Sequence, residues 1–383
     1  MAGTYCLKTP RVVYGGKDAL EQMKQIAAGA KKAVVFTDQG VFKSGLLEKP
    51  LALLKEAGVQ TAVFDNLAAE PTVGQAADAI DRFRKEHADL IVAVGGGSVM
   101  DIAKLASVLD TDAYTIYDLL EAPAQAVKTG RTLMIPTTAG TGSEATPNSI
   151  VTIPEKELKV GIVNANMIAD DVILDAEMIR RLPRPIAAAT GVDALAHAIE
   201  CYTSNKATPF SDLYALEALR LILPNIESAC NEAENMQAKE AMLTASFFAG
   251  VAIAAAGTTA VHALSYPLGG KYHIPHGVSN AMLLAPVMRF NEPNCRARLA
   301  NIYDTVCPQQ PVSETEKSGW VIRRLEEIVK NLEIPSDLSK FGVHHEDLDL
   351  LVSAGMQVTR LLANNCRNVT EQDARALYLQ IMP

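Results

Sequence analysis

Four side chains with metal-ligating chemistry stand out in the second half of the sequence. Asp193 and His197 are four residues apart in the run DALAH, so on a helix they share one face about a turn apart. His262 follows in the run AVHA and His276 in the run IPHG. One carboxylate with three imidazoles suits Fe(II) or Zn(II), and the sequence does not choose between these ions. We therefore predict that Asp193, His197, His262 and His276 bind one metal ion.

The alternative for the pair Asp193 and His197 alone is an ordinary hydrogen bond on a helix surface. The surroundings of the histidines argue against it for the whole set. His197 and His262 lie in alanine-rich segments, where an unpaired polar side chain would be costly to bury. A shared cation would satisfy all four donors, so the sequence favours the metal site.

Two loops rich in small residues are candidates for cofactor binding. An apolar strand, Leu90–Val94, runs into Gly95-Gly96-Gly97-Ser98, and the next strand runs into residues 136–144, PTTAGTGSE. Glycines allow close approach of the backbone, and a helix N-terminus favours a pyrophosphate. Three glycines can also simply make a tight turn. The spacing differs from GxGxxG, so the usual dinucleotide fingerprint is not matched.

Asp38 directly follows the apolar run Ala33–Thr37. A carboxylate at the end of a strand can accept hydrogen bonds from ribose hydroxyls, and it would repel the extra phosphate of NADP. This interpretation favours NAD. The alternative is that Asp38 caps the N-terminus of the following helix, which is a common role for aspartate.

The elements that must position these residues change character along the chain. Up to about residue 180, short β-branched runs alternate with amphipathic segments, which predicts a mainly parallel α/β sheet. After Arg181-Leu-Pro-Arg-Pro185 the segments are long and have helical spacing. We predict a dinucleotide-binding α/β domain over 1–182 and an all-helical metal and substrate domain over 183–383, with the working site in a cleft between them.

Composition excludes several functional classes. The net charge is -9 and the basic residues are scattered, which argues against nucleic acid and anionic membranes as partners. The six cysteines form no CxxC pair, which favours free thiols and a cytoplasmic location. The most apolar stretch, Ala241–Gly257, is rich in alanine and glycine and predicts a buried helix rather than a membrane span.

Taken together, the motifs identify a family. The runs GGGSVMD (95–101), PTTAGTGSE (136–144), ATGVDALAHAIE (189–200), VH (261–262) and PHG (275–277) resemble the iron-dependent (group III) alcohol dehydrogenase family, which includes lactaldehyde reductase and 1,3-propanediol dehydrogenase. The resemblance covers essentially the whole chain. It implies a Rossmann-like α/β domain joined to an all-helical domain, in the architecture of dehydroquinate synthase.

The resemblance also implies site residues. The family's metal ligands fall on the four residues already chosen, and the family's proton relay falls on Tyr266, where many relatives have histidine. Tyrosine shuttles protons poorly near neutral pH, so His273 is a second candidate for the relay. Cofactor contacts are implied for Asp38, Gly95, Gly96, Gly97, Ser98, Asp101, Thr137, Thr138, Thr141, Ser143, Asn148 and Lys159.

The implied function is a metal-dependent, NAD(H)-linked alcohol dehydrogenase or aldehyde reductase for small primary alcohols or diols, with iron, or else zinc, as the metal. The alternative on the same scaffold is a hydroxyacid dehydrogenase or hydroxyacid-oxoacid transhydrogenase. Arg367 or Lys271 facing the cleft would favour that alternative. The dehydroquinate synthase-like lyases fit less well, because their ligand set lacks the Asp193-x3-His197 pattern. A homodimer, or an assembly of dimers, is also implied.

Overall fold

The computed structural model describes residues 4–154, 158–307 and 311–383. These residues form two compact units. The α/β unit contains Lys8–Thr138 and Gly142–Leu182, and the helical unit contains Pro183–Pro383, Ala139–Thr141 and the segment that ends at Leu7. That each part folds as an independent domain on either side of residues 182 and 183 stays a prediction.

The α/β unit is built on a parallel sheet of six strands in the order β1-β8-β5-β4-β2-β3, with a separate antiparallel pair, β6-β7. All neighbours in the large sheet run parallel. The strands are β1 Val12–Gly15, β2 Lys32–Phe36, β3 Gln60–Phe64, β4 Leu90–Gly95, β5 Arg131–Pro136, β6 Asn148–Ile153, β7 Leu158–Val163 and β8 Asp171–Leu174.

Helices separate most of these strands and make up the rest of the chain. In the α/β unit they are α1 Met23–Ile26, α2 Gln39–Lys43, α3 Glu48–Glu56, α4 Val73–Glu86, α5 Gly97–Leu109 and α6 Ile116–Glu121. In the helical unit they are α7 Arg184–Thr203, α8 Pro209–Asn231, α9 Met236–Ala256, α10 Ala260–Tyr272, α11 His276–Val306, α12 Glu314–Asn331, α13 Leu348–Met356, α14 Thr359–Leu362 and α15 Glu371–Leu379.

The predicted fold class is confirmed. Every residue of β4 is buried, as expected for a central strand of a parallel sheet that is covered on both faces. The apolar runs Ala33–Thr37 and Leu90–Val94 correspond to β2 and β4, with ends shifted by at most one residue. After Leu174, every regular element among the described residues is helical.

Helix α9 is long and strongly apolar, and it lies in the core of the helical unit. Among the described residues it is the one helix long and apolar enough to cross a membrane by length and composition. It packs against α7 and α8, and its small residues Ala245, Ala249 and Gly250 are buried. The predicted buried helix at Ala241–Gly257 is therefore confirmed.

Candidate metal centre and cofactor loops

The helical unit brings the four predicted ligands together. Asp193 and His197 lie on α7, His262 lies on α10, and His276 is the first residue of α11. One donor atom from each side chain lies within 4.8 Å of the others. Asp193 Oδ1 is 3.7 Å from His197 Nε2 and 3.6 Å from the Nε2 atoms of both His262 and His276.

These separations fit a cation with tetrahedral coordination. Metal–donor bonds of about 2.1 Å place the corners of a tetrahedron about 3.4 Å apart, close to the distances from Asp193. Asn280 adds a second observation, because its Nδ2 lies 2.7 Å from Asp193 Oδ1, 3.1 Å from His262 Nε2 and 3.2 Å from His276 Nε2. An amide group has two hydrogens, so Asn280 can donate to at most two of these three atoms at once, whereas a bound cation would contact all of them.

Two further groups orient the imidazoles toward the centre. His262 Nδ1 donates to Glu200 Oε2, and His197 Nδ1 donates to the carbonyl oxygen of Gly140 at 3.3 Å. A proton fixed on Nδ1 leaves the Nε2 lone pair available for a metal ion. Both rings therefore present the correct nitrogen.

Glu200 is itself held rigidly. Its Oε1 accepts from Thr259 Oγ1 at 2.6 Å, from Thr259 N at 3.1 Å and from Val261 N at 2.8 Å. The side chain is fully buried. Glu200 was not among the residues predicted from the sequence. A charged residue inside the apolar run of α7 indicates a buried partner. The sequence does not identify that partner, because the groups that bind Glu200 lie about sixty residues further along the chain.

The site is electrostatically coupled. Burial alone would raise the pKa of Asp193, but the neighbouring imidazoles hold that pKa well below its usual range. Burial alone would lower the pKa of His262, but Glu200 and Asp193 raise it to about 9. The pKa of His197 is lowered, chiefly by burial. The carboxylates are thus kept ionised, and a metal ion that binds near neutral pH would displace the Nε2 proton of His262.

Replacing Glu200 is expected to weaken metal binding. In Glu200→Gln the amide can hold His262 in place but cannot supply the negative charge behind it. Loss of such a supporting partner typically weakens metal affinity by about 10- to 100-fold. Competition with a chromophoric chelator measures this affinity. Glu217→Gln, at an exposed pair with Arg220 on α8, is the matched control, and equal affinities in the two variants would refute the role of Glu200.

Two glycines allow the close packing on which the centre depends. A Cβ on Gly277, which follows His276, would lie 2.0 Å from the carbonyl oxygen of Ala189 on α7. A Cβ on Gly140 would lie 2.5 Å from Thr190 Cβ. The backbone therefore approaches α7 at both points in a way that excludes any side chain, and this approach holds His276 and the Gly140 carbonyl near the ligands.

Those parts of the two predicted cofactor loops that belong to the α/β unit are neighbours. Gly95 pairs with Pro136 across β4 and β5, and Thr137 N donates to Gly95 O at 3.0 Å. Gly96 caps α5, and a Cβ there would lie 3.6 Å from Thr138 Oγ1. The N-terminus of α5 therefore lies next to Thr138 of the second loop, and binding of a pyrophosphate there stays a prediction.

Several predicted cofactor residues belong to a buried network around Lys104. The Lys104 ammonium lies 2.9 Å from Asp101 Oδ1 and donates to Ser143 Oγ at 2.7 Å, and it also donates to the carbonyl oxygen of Asn148. Ser143 Oγ in turn donates to Asp101 Oδ1 at 2.6 Å. Lys104, which sits in a mostly apolar helix, was not predicted from the sequence. Its hydrogen bonds fix α5 against Ser143 and Asn148, which follow β5.

The remaining predicted cofactor residues have identifiable neighbours. Asp38 Oδ1 accepts from Gly40 N and Val41 N, so it caps α2 as the alternative interpretation proposed. Lys159 forms an ion pair with Glu70 at 2.6 Å. Their predicted contacts with a cofactor stay predictions.

The two candidates for the proton relay lie in different environments. The Tyr266 ring is 6.0 Å from the His276 ring, and burial raises the pKa of Tyr266 to about 12. His273 is exposed and ends α10 with a left-handed φ of 53°. The phenol of Tyr266 is therefore next to the centre but holds its proton firmly at neutral pH.

Arg367 and Lys271 would favour an acidic substrate if they faced the site, but both side chains contact other groups. Arg367 Nη1 donates to Phe290 O at 2.7 Å, and its guanidinium lies 4.0 Å from the centre of the Phe290 ring. Lys271 Nζ lies 3.5 Å from Asp347 Oδ1. Neither contact supports a role in recognising a substrate carboxylate.

Comparison with known proteins places this site in a family. Residues 10–176 match the family described as iron-containing alcohol dehydrogenase, and residues 187–382 match the C-terminal part of the Fe-containing alcohol dehydrogenase family. Long-chain-alcohol dehydrogenase 1 of Geobacillus thermodenitrificans is 36% identical over 375 residues, covering 96% of this chain and 94% of the relative.

Two further relatives belong to the same class of alcohol-oxidising enzymes by their names. The NAD-dependent methanol dehydrogenase of Bacillus methanolicus is 33% identical over 358 residues, with 93% of each chain covered. A crystal structure of 1,3-propanediol oxidoreductase superposes with a TM-score of 0.93 at 32% identity, covering 99% of this chain and all of the other. The chain therefore belongs to the iron-containing alcohol dehydrogenase family of oxidoreductases.

Proposed function

We propose that this protein is a metal-dependent, NAD(H)-linked alcohol dehydrogenase that interconverts small primary alcohols or diols and their aldehydes. The convergence of Asp193, His197, His262 and His276 on one point carries the proposal. A cation held there would polarise the substrate oxygen, and NAD(H) would accept or supply the hydride.

The protein's own residues have distinct tasks in this proposal. Glu200 and the Gly140 carbonyl hold the His262 and His197 rings in one tautomer. Asn280 donates to Asp193 and limits which of its lone pairs faces the centre. Tyr266 beside His276 can donate a hydrogen bond to a substrate oxygen, but its high pKa makes it a poor base. Proton release then passes through His273 or through water.

We further propose Fe(II), with Zn(II) as the alternative, and NAD rather than NADP. A set of three imidazoles and one carboxylate suits both ions. The Asp38 carboxylate, at the end of β2, would repel a ribose phosphate even while it caps α2. We also propose a cytoplasmic homodimer without nucleic acid or membrane partners. Light scattering at micromolar protein measures the assembly, and a monomer mass would contradict the dimer.

Metal removal and restoration test the proposed function. Chelator-treated protein is assayed for NADH oxidation with propanal, lactaldehyde and succinic semialdehyde, before and after addition of Fe(II) or Zn(II). Activity that returns only with metal supports the proposal, and the best aldehyde identifies the substrate class. If no aldehyde is reduced with either metal although NADH binds, the dehydrogenase proposal fails.

A second candidate function, on substrates that carry an anionic group, is favoured by Arg360. This residue is exposed on α14, which packs against α10. Its positive charge lowers the pKa of Tyr266, against the larger opposing effect of burial. Arg360 is therefore close enough to Tyr266 for its charge to act on the phenol, and it is a cation that a hydroxyacid or its semialdehyde could use.

Arg360→Gln distinguishes the two candidates. If the substrate is anionic, kcat/KM for succinic semialdehyde is expected to fall about fivefold, the effect of one partly exposed ion pair, while kcat/KM for butanal stays unchanged. Arg375→Gln, at an exposed pair with Asp349, is the matched control. Equal effects of Arg360→Gln on both aldehydes would remove the reason for the second candidate.

A further inference from the structure

An ion pair in the α/β unit lies beside the loop that is predicted to bind the cofactor pyrophosphate. Lys159 Nζ is 2.6 Å from Glu70 Oε1. The backbone N–H of Glu70 donates to Ser98 Oγ at 3.1 Å, and Ser98 belongs to the first turn of α5. Glu70 therefore connects the lysine to the N-terminus of the helix at which an anion is expected to bind.

The hairpin β6–β7 fixes the backbone of Lys159. Lys159 pairs with Thr152 across the two strands, and Thr152 N donates to the carbonyl oxygen of Pro71 at 2.9 Å. The hairpin is also attached to α5, because Ile150 N donates to Asp101 Oδ2 at 2.8 Å. Backbone register, rather than the reach of two flexible side chains, therefore places Lys159 next to Glu70.

The backbone of Glu70 adopts the left-handed conformation, with a φ of 55°. Glycine and asparagine adopt this conformation more readily than glutamate does. The shape of the chain therefore does not explain a glutamate at this position. What glutamate supplies here is its carboxylate, and Lys159 is the cation that the carboxylate contacts.

The two partners differ in their exposure to water. The side chain of Lys159 is 10% exposed and that of Glu70 is 39% exposed. The ammonium is largely removed from water and depends on an acceptor from its surroundings. The carboxylate can turn into water when another anion takes its place. A pyrophosphate at the N-terminus of α5 is such an anion, and it would repel a carboxylate that stayed beside it.

We propose that Glu70 competes with the cofactor pyrophosphate for Lys159, and that this competition weakens NAD(H) binding and speeds cofactor release. The inference rests on the proposed function, because it takes NAD(H) as the cofactor. When the cofactor binds, its phosphate contacts the Lys159 ammonium and the Glu70 carboxylate turns toward water. When the cofactor leaves, the ion pair forms again. Removing the competing charge should mainly slow dissociation, because most affinity differences among variants of one site lie in the off-rate.

Titration of NADH fluorescence with purified full-length protein tests this proposal without any turnover. Glu70→Gln keeps the side-chain size and the backbone bond to Ser98 but removes the charge. We expect its Kd for NADH to fall about fivefold, the effect of one partly exposed ion pair. Its affinity should also depend more steeply on salt than that of wild type, because Lys159 is then free to pair with the phosphate. Glu70→Asn, which suits the left-handed backbone, should show the same gain.

A double variant tests whether Glu70 acts through Lys159. Lys159→Gln alone should raise the Kd for NADH about fivefold. In that background, Glu70→Gln is expected to change the Kd by less than about twofold, because there is no cation left to compete for. Glu86→Gln is the matched control. Glu86 pairs with Lys32 at 2.7 Å, and Lys32 begins β2, at the end of the sheet opposite the cofactor loops, so this variant should bind NADH as wild type does.

Three outcomes would overturn the proposal. A Glu70→Gln protein that binds NADH no more tightly than wild type shows that Glu70 does not oppose the cofactor. An equal gain with and without Lys159 shows that Glu70 acts by its charge alone and does not compete for the lysine. Wild-type protein that binds no NADH would contradict the proposed function together with this inference, whereas normal wild-type binding with unchanged variants contradicts the competition alone.

Discussion

Replacing His262 by alanine is expected to abolish stoichiometric binding of Fe(II) or Zn(II) and to reduce aldehyde reduction about a thousandfold or more. Removing the polarising cation forfeits several kcal/mol of transition-state stabilisation, and each 1.36 kcal/mol is about a factor of ten in rate. His262 donates to the buried Glu200 and lies 3.6 Å from Asp193 Oδ1. Atomic absorption of the purified variant and its NADH oxidation rate measure the two effects.

A second ligand variant is needed to distinguish loss of the metal from unfolding of the protein. His262→Ala also leaves the buried Glu200 carboxylate without its imidazole, which costs stability. His276→Ala removes a ligand whose side chain is 32% exposed, so it should lose the metal with a smaller loss of stability. The exposed His345→Ala is the control. If either ligand variant keeps one tightly bound metal ion per chain, the proposed ligand set is wrong.

Gly277→Ala is expected to be among the most damaging single-methyl changes in the helical unit. Its new Cβ would lie 2.0 Å from the carbonyl oxygen of Ala189, which cannot move aside like the tip of a flexible side chain. Helix α11 must shift from α7, which separates His276 from Asp193. Overpacking of this kind costs about 3 kcal/mol. Denaturant unfolding of the metal-free protein measures that cost, and chelator competition measures the accompanying loss of metal affinity.

Gly319→Ala on α12 is the matched control. Its Cβ would meet only the guanidinium tip of Arg323 at 3.3 Å, and alanine is favoured over glycine in a helix interior by up to about 1 kcal/mol. The control should therefore be neutral or slightly stabilising. A Gly277→Ala variant that is as stable as this control and binds metal normally would show that the approach of α11 to α7 is not needed for the site.

The parts of the fold and of the site that depend on local sequence patterns could be predicted from the sequence. The alternation of apolar runs and helices indicated the parallel sheet, and residue type with i, i+4 spacing indicated Asp193 and His197 as a pair. Strands β6, β7 and β8 were missed. β8 is only four residues long, and β6 and β7 form a two-stranded pair outside the main sheet.

The supporting residues could not be found from local patterns. Glu200, Asn280 and Lys104 each have partners between 18 and 87 positions away in the sequence. Nothing near Glu200 in the chain indicates that His262 and Thr259 fold back onto it. Asp38 is different, because it accepts from the nearby amides of Gly40 and Val41, and the sequence had offered this helix cap as the alternative interpretation.

The assignment of Ala139–Thr141 to the helical unit has a practical consequence for dissecting the protein. A recombinant fragment beginning at Pro183 would carry all four candidate ligands, yet it would lack the Gly140 carbonyl that accepts from His197. It would also expose the surface of α7 at Thr190 that the Gly140 backbone covers. A failure of that fragment to bind metal would thus reflect a missing three-residue insertion, and titrations of the isolated half would underestimate the affinity of the whole chain.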